Sequence, residues 1–448
     1  MAWLTKSRFM AGRQCPKRLW FEVNAPLRTR APDSMAIRQG RVFDTLMREL
    51  VPGRVIARNR GMPAAIAETT RVLAAGTARV LHQPAVRHGE FAVIADILRR
   101  DRGIAELVEV KASTQVKAEH IPDAAFQALV LRGARVPVQR VSIAHVDSTF
   151  MLERKGDYAG LASEADVTAQ VEAILPTLGD EAVALHRVMA ERSAPAIAMG
   201  PQCHTPWPCP FIARCSAGAP PPDLSSHRDG RVRAGSRVID RSAADPLRRA
   251  PWPRAYLDFE TIAFAVPEII GTRPYEQLPF QWSLHVEDAA GGVQHAAYLA
   301  SQSFGDFTAL SSALLCAAPP AGPVFAYNAS FEARALELLA RLAPSEAPGL
   351  VALRARLVDL WPITKQAYYD PRMQGSWSLK AVIPTIAPEL AYSRLGEVQE
   401  GEGAQLAFLE LRAGVTDEAR RAALETALRE YCRQDTWALV CLARFLAG

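Results

Sequence analysis

Between residues 217 and 253 the chain runs through Ala-Pro-Pro-Pro, Ser-Ser, scattered Gly and many Arg, and no apolar periodicity is sustained there. That is the composition of a linker, not of a packed element. A chain interrupted in this way must bury separate cores on either side, and 448 residues suffice for this at roughly 100–200 residues per domain. The expected division is residues 1–216, a Pro/Arg-rich linker over 217–253, and residues 254–448. With 49% hydrophobic and 22% charged residues, wholesale disorder is excluded. No apolar run approaches the ~18 residues of a membrane span. The opening Met-Ala-Trp-Leu-Thr-Lys-Ser-Arg places charge ahead of any apolar stretch, which is not how a secretory leader begins. The expectation is a soluble, cytoplasmic protein with no membrane partner.

The pattern on each side is mixed α/β. The first half begins helically, with Leu4, Phe9, Leu19 and Trp20 as apolar positions. Helices are expected over 35–50, 64–76, 122–133 and 164–193, and strands over Glu90–Leu98 and Ile104–Lys111. The second half predicts a strand Ala255–Glu260, a hairpin of Phe280–Val286 and Val293–Leu299 around Gly291-Gly292, a strand Val324–Tyr327, and then helices. Charge is uneven: residues 1–60 hold thirteen Lys or Arg against four Asp or Glu, a local +9, and 228–254 hold eight Arg against three Asp. Such stretches suit a phosphate backbone, although an ordinary solvated surface would carry them too.

Asp96 falls near the end of one expected strand, and Glu109-Val110-Lys111 near the end of the next. Period-two alternation sets Glu109 and Lys111 on one face. In a hairpin closed around Arg99–Gly103, Asp96 comes opposite that face or one diagonal step away, within about 8 Å. Two carboxylates and an ammonium so gathered suit Mg²⁺ or Mn²⁺ and an activated water. Lysine is scarce, seven against 45 Arg, and arginine supplies no titratable amine. Residues 90–127, with the Asp, Glu-Val-Lys-Ala-Ser-Thr, and a following stretch carrying Asp123 and Gln127, resemble the core of RecB-like nucleases of the PD-(D/E)XK superfamily. The resemblance implies a restriction-endonuclease-like domain with Asp96 and Glu109 as metal ligands, Lys111 as catalytic lysine and Gln127 as a positioning residue. Many relatives carry a metal-binding His in an N-terminal helix; the matching Gln39-Gly40-Arg41-Val42-Phe43 has none.

Seven cysteines in a large chain of this kind argue against a disulfide framework. Cys316, Cys432 and Cys441 lie in apolar runs and are expected as core residues. Cys203, Cys209 and Cys215 form Cys-x5-Cys-x5-Cys, which lacks the tight knuckle of structural zinc, and Cys15 in Gln14-Cys15-Pro16-Lys17-Arg18-Leu19-Trp20 offers a fourth thiolate. One Cys far upstream and three behind the nuclease core resembles the iron–sulfur nucleases. Among them are AddB and the CRISPR-associated RecB-like exonucleases. That implies a 4Fe–4S cluster on Cys15, Cys203, Cys209 and Cys215, with zinc, using His204, as the alternative.

In Tyr256-Leu257-Asp258-Phe259-Glu260-Thr261 the two acids share one strand face and the apolar residues the other. Strand Val324–Tyr327 leads into Asn328-Ala329-Ser330-Phe331-Glu332, where Ser330 is expected as N-cap with Glu332 in the first turn. Tyr431-Cys432-Arg433-Gln434-Asp435 places Tyr431 and Asp435 on one helical face. Asp-x-Glu, then Asn-x-x-Phe-acid, then Tyr-x3-Asp resembles the DnaQ-like (DEDD) branch of the RNase H fold. The resemblance implies Asp258, Glu260, Glu332 and Asp435 as metal ligands and Tyr431 orienting the attacking water, with Glu332 standing where most such exonucleases carry Asp. Arg273–Trp282 and Gly375–Lys380 resemble a bacterial family of unknown function whose members are often fused behind a RecB-like module.

The expected protein is a metal-dependent nuclease acting on nucleic acid, preferably single-stranded DNA. It would have two phosphodiesterase sites, the second a 3′–5′ exonuclease, with a helicase or a repair or defence complex as partner by analogy. The alternatives are a chain with one active site and one degenerate, nucleic-acid-binding domain, or a non-catalytic nucleic-acid-binding subunit.

Overall fold

The computed structural model describes residues 2–28, 34–101, 103–217, 227–414 and 417–448. The architecture is mixed α/β, with sixteen α-helices and four sheets among the described residues. The chain divides into two units, 1–220 with 264–275, and 221–263 with 276–448. No helix among the described residues is long and apolar enough to cross a membrane.

The first unit contains, in order, β1 (Leu4–Thr5), α1 (Lys6–Gln14), α2 (Pro16–Asn24), α3 (Met35–Leu50), β2 (Arg54–Val55) and α4 (Met62–Ala75). There follow β3 (Val80–His82), β4 (Ala85–His88), β5 (Phe91–Ile94), β6 (Ile97–Asp101) and β7 (Ile104–Lys111). The unit continues with α5 (His120–Gly133), β8 (Val138–Val146), β9 (Ala162–Asp166), α6 (Thr168–Val188) and α7 (Ile212–Ser216). Its main sheet has the order β2-β3-β6-β7-β8-β9, and a smaller one has β1-β5-β4. β6 and β7 are antiparallel with Ile97 opposite Val108, while β7 and β8 are parallel and joined through α5. This crossover needs α5 to cover the sheet. The helix accordingly buries Ala124, Ala125, Phe126, Ala128, Val130 and Leu131.

Where one strand Glu90–Leu98 is expected, there are two in different sheets. The chain changes sheet at Ala95–Asp96, and the Asp96 carboxylate takes the Val110 N–H at 2.9 Å in place of a strand partner. β8 occupies a stretch for which no strand is expected, and β9 takes the start of the expected helix 164–193. Residues 264–275, expected in the C-terminal half, belong to the first unit. Ala265 and Val266 are buried with Phe43, Leu46, Ile97 and Val108. Gln39 Oε1 accepts the Ala265 N–H at 2.7 Å, and the Tyr275 hydroxyl donates to the Ala112 carbonyl at 2.5 Å.

The second unit contains α8 (Gly230–Ala234), β10 (Val238–Ile239), α9 (Asp245–Arg249), β11 (Arg254–Ile262), β12 (Leu278–Glu287), β13 (Val293–Leu299) and α10 (Phe307–Ala317). It continues with β14 (Val324–Ala326), α11 (Ser330–Leu342), α12 (Ala347–Arg354), β15 (Leu357–Asp359), α13 (Leu360–Ala367) and β16 (Tyr368–Tyr369). It closes with α14 (Leu379–Ile386), α15 (Gly401–Arg412) and α16 (Glu418–Ala447). The five-stranded sheet has the order β13-β12-β11-β14-β15, antiparallel across β13, β12 and β11 and parallel across β11, β14 and β15. At the β12–β13 turn Gly291 has φ +85°, and Asp288 Oδ1 accepts the Ala290 and Gly292 N–H groups. Asp417 caps α16 by accepting the Arg420 N–H at 2.7 Å. The apolar face of this helix is held to the sheet by a bond from Gln281 Nε2 to the Leu428 carbonyl at 2.9 Å.

The described part of the expected linker, from His227 onward, is part of this unit. Val232, Ala244 and Leu247 are buried with Tyr256, Phe325, Tyr368 and Leu439. β10 pairs antiparallel with β16, and the Arg231 guanidinium donates to the Lys365 and Gln366 carbonyls. Three widely spaced anchors leave no period in the sequence, so only tertiary packing reveals them. Leu247→Ala is therefore expected to cost the second unit about 2–5 kcal/mol in denaturant unfolding, as for a core leucine. A change within about 0.5 kcal/mol of zero would make the segment a linker after all.

Candidate metal centres

In the first unit, β6, β7, α1 and α5 bring five charged side chains together. Glu109 on β7 is fully buried. Its Oε1 accepts from Lys111 Nζ at 2.7 Å and from Lys6 Nζ at 2.6 Å, and its Oε2 accepts from Gln127 Nε2 at 2.7 Å. Lys111 also donates to Asp123, and Lys6 lies 3.8 Å from the Asp123 carboxylate. Burial alone would raise the Glu109 carboxyl, but Lys111 and Lys6 outweigh it and hold it well below the usual range. Asp96 is pushed up to about 7, by burial first and then by the charge of Glu109. His120, buried beside the cluster, falls to about 4 through burial and then Lys111. The cluster thus gathers Asp96, Glu109, Lys111 and Gln127, together with Asp123. Gln127 is fully buried, and its Oε1 has no hydrogen-bond partner among the described residues.

Among the described residues no ammonium or guanidinium is paired with the acids of the second cluster, although the more distant Lys380 charge acts on Glu260 and Asp435. Asp258 and Glu260 project from one face of β11, and Asp435 comes from α16. One carboxylate oxygen from each lies within 4.8 Å of the others, and among the described residues this is the only set of three His, Cys, Asp or Glu ligand atoms so close. Glu332, buried in the first turn of α11, stands outside that trio, and its Oε2 has no partner. Ser330 is the first residue of α11 instead of its cap, because the turn before it is set by Asn328 at φ +64°. Burial, then Asp435, then Glu260 and Glu332 push the Asp258 carboxyl well above its ordinary range, and burial and Asp435 do the same to Glu260. Asp435 rises to about 6 and Glu332 to about 8, both mainly through burial.

Around the trio, Tyr392 donates its hydroxyl to Asp435 Oδ1, and its ring meets that of Tyr431 edge-on at 6.2 Å. Lys380 Nζ lies 5.2 Å from both ring centroids and donates to the Gln399 carbonyl at 2.8 Å. The Cys432 thiol contacts Asp258 Oδ2 at 3.6 Å, so it is buried as expected but beside the acids. Cys316 is exposed and Cys441 half-buried, contrary to their expected place in the core.

Cys15, Cys203, Cys209 and Cys215 line one cavity with Arg18, Phe21 and Phe211. Cys15 lies between α1 and α2, and the Gln14 amide holds the far loop by donating to the Gln202 and Trp207 carbonyls at 2.8 and 2.6 Å. Burial raises the Cys209 thiol, and Cys15 and Cys203 add to the rise. His204 is exposed and is not among the lining residues.

These donor sets suit different occupants. Three convergent carboxylate oxygens, from two buried acids and the half-buried Asp258, suit a hard divalent cation. Four thiols suit soft metal chemistry. Lys6 and Tyr392 escaped the sequence reading. Lysine scarcity, applied beyond Glu109-Val110-Lys111, would have singled out Lys6. Tyr392 lies in a short turn over Tyr392–Arg394 with no pattern of its own and reaches Asp435 only through folding.

In comparison with known proteins, residues 255–378 are similar to a family described as a domain of unknown function, DUF2779. That window contains Asp258, Glu260 and Glu332 but not Asp435. An uncharacterized protein of Mycoplasma pneumoniae, described as a homolog of MG366, is 27% identical over 213 residues, covering 43% of this chain and 32% of that protein. The chain thus spans about a third of that relative's length.

Because the carboxyls of Asp435 and Glu332 titrate higher in the folded chain than their ordinary 3.8 and 4.5, the folded state holds extra protons between about pH 4 and about pH 8, and stability falls as pH rises through that window. Glu332 is common to both chains, so thermal unfolding in chelator should lose stability through the Asp435 window, about pH 4 to about pH 6, relative to the Asp258→Asn, Asp435→Asn double variant, and Mn²⁺ should restore it to the wild type alone. Parallel pH profiles for the two chains would contradict this electrostatic account.

Proposed function

We propose that this protein is a metal-dependent nuclease hydrolysing the phosphodiester bonds of nucleic acid, with single-stranded DNA as the preferred substrate. The observation that carries the reading is the trio Asp258, Glu260 and Asp435, whose carboxylate oxygens lie within 4.8 Å of one another while burial pushes all three carboxyls up and the Asp435 charge adds to the rise of Asp258 and Glu260. Three such groups cannot all ionise without a cation to neutralise them. The second unit is read as a DnaQ-like RNase H-fold 3′–5′ exonuclease and the first as a RecB-like PD-(D/E)XK module.

Asp258, Glu260 and Asp435, with Glu332 beside them, would hold Mg²⁺ or Mn²⁺ in the second unit, and Asp96 and Glu109 in the first. Bound divalent ions supply an activated water and stabilise the departing oxygen. Tyr392 fixes the Asp435 carboxylate by its hydroxyl bond. Tyr431 is assigned to orient the attacking water. Lys380, whose ammonium lies 5.2 Å from both tyrosine ring centroids, is assigned to meet the incoming phosphate. In the first unit Lys111 bridges Glu109 and Asp123, and Gln127 holds Glu109 Oε2 in place.

The four cysteines are read as ligands of a structural 4Fe–4S cluster. All four line one cavity, a donor set that serves such a cluster; a single tetrahedral zinc with Zn–S near ~2.3 Å would draw the sulfurs to about 3.8 Å apart. A cluster seats each thiolate on a different iron and so spaces them more widely. Protein purified without oxygen should be brown and lose its colour in Cys203→Ser. Colourless protein carrying stoichiometric zinc would replace the cluster with the zinc alternative.

End-labelled single and double strands with Mn²⁺ test the nuclease reading. Asp258→Ala with Glu260→Ala should lower exonucleolytic release by about 100-fold or more, and Asp96→Ala with Lys111→Ala should lower the remaining cleavage similarly, since each removes ion-binding or water-activating groups. Loss in only one pair would leave one active and one degenerate site. Undiminished cleavage in both would refute the assignment.

A further inference from the structure

We propose that Lys6 is a tethered counter-cation of the first unit's acidic cluster, occupying on Glu109 the place a divalent ion takes, so that the metal binds only by displacing it. The inference rests on the reading of this cluster as a metal centre. The simpler account of Lys6 is a structural ion pair, and three observations weigh against it.

Glu109 needs no help from Lys6. Its Oε1 already accepts from Lys111 and its Oε2 from Gln127, both at 2.7 Å, so a fully buried carboxylate is satisfied without a second ammonium. Lys6 also enters from the open side: its side chain retains 26% exposure, against 0% for Glu109. A cation there can leave for water without opening the core.

The placement of Lys6 is built into the fold. On α1, Lys6 and Phe9 are one turn apart; on α5, Asp123 and Phe126 are one turn apart. Phe9 stacks on Phe126 at 4.4 Å, and Lys6 falls 3.8 Å from Asp123 and 2.6 Å from Glu109. β1, directly before Lys6, pairs in parallel with β5 and fixes the start of the helix. The buried, unpartnered Gln127 Oε1 gives the cluster one more oxygen than its internal donors satisfy, as a centre awaiting a further cation would have. Lysine suits the role better than arginine. Its ammonium is a compact, strongly hydrated point charge that dissociates without breaking a two-pronged contact. This chain uses it at only seven of its 52 basic positions.

The test uses the full chain carrying Asp258→Asn and Asp435→Asn, so that Mn²⁺ binding reports on the first unit, and it requires no nucleic acid. Adding Lys6→Met should tighten Mn²⁺ binding by about tenfold or more, because the competing charge is gone, whereas Lys6→Arg should give no such gain. Lys6→Gln, read the same way, serves if the methionine variant is poorly folded. In the chain with Lys6 intact, saturating Mn²⁺ should raise the acylation rate of the Lys6 amine, followed by mass spectrometry. Equal or weaker Mn²⁺ binding in folded Lys6→Met and Lys6→Gln, no Mn²⁺ binding in any variant, or an unchanged acylation rate would overturn the proposal. Tighter Mn²⁺ binding on removal of Lys6, beside a chain with both clusters intact that cleaves no phosphodiester, would sustain the role of Lys6 and refute the nuclease reading alone.

Discussion

A carboxylate removed from water must either keep its proton or meet a cation. The two units resolve that constraint in opposite ways. In the first, Glu109 stands on a strand of the main sheet with Lys6, Lys111 and Gln127 around it, and its charge is retained. In the second, Asp258, Glu260 and Asp435 converge with no ammonium paired to them among the described residues, and their carboxyls are driven upward. Much of the neighbouring architecture serves these arrangements. The change of sheet at Asp96 frees a carboxylate to bind Val110, and α16 seats Asp435 and Cys432 against β11.

The contrast has a functional consequence under the proposed reading. A cluster that carries its own cations is stable without metal, and metal entry there is a competition. A cluster of bare acids is poised for metal and costs the fold stability without it. Two sites on one chain can therefore fill at different metal concentrations, although both would serve phosphodiester hydrolysis. Tyr392 moderates the second arrangement by donating to Asp435, and Lys380 does so from beyond the two tyrosine rings.

Part of this was legible in the residue order. The alternation in Tyr256–Thr261 forecasts two acids on one face of a strand, and β11 has them there. The hairpin of β6 and β7 forecasts the approach of Asp96 to Glu109, and in the observed register Ile97 lies opposite Val108. Other features depend on partners far away in the chain. Val232 and Leu247 look isolated in a Pro- and Arg-rich stretch, yet they enter the core of the second unit. Residues 264–275 leave the sheet that flanks them and pack with α3 and β7, because Ala265 and Val266 find their apolar neighbours there. Neither placement has a periodicity to announce it.

The sequence by itself determined the mixed α/β character, the strands and helices bearing the acids, and the grouping of Cys203, Cys209 and Cys215, because period and spacing are local properties of a chain. Tertiary structure alone decided that Lys6 reaches Glu109, that Tyr392 holds Asp435, and that Glu332 stands outside the trio. Each of these is a distance between segments many residues apart, and such distances are fixed by which apolar faces pack together, not by the residues that later meet.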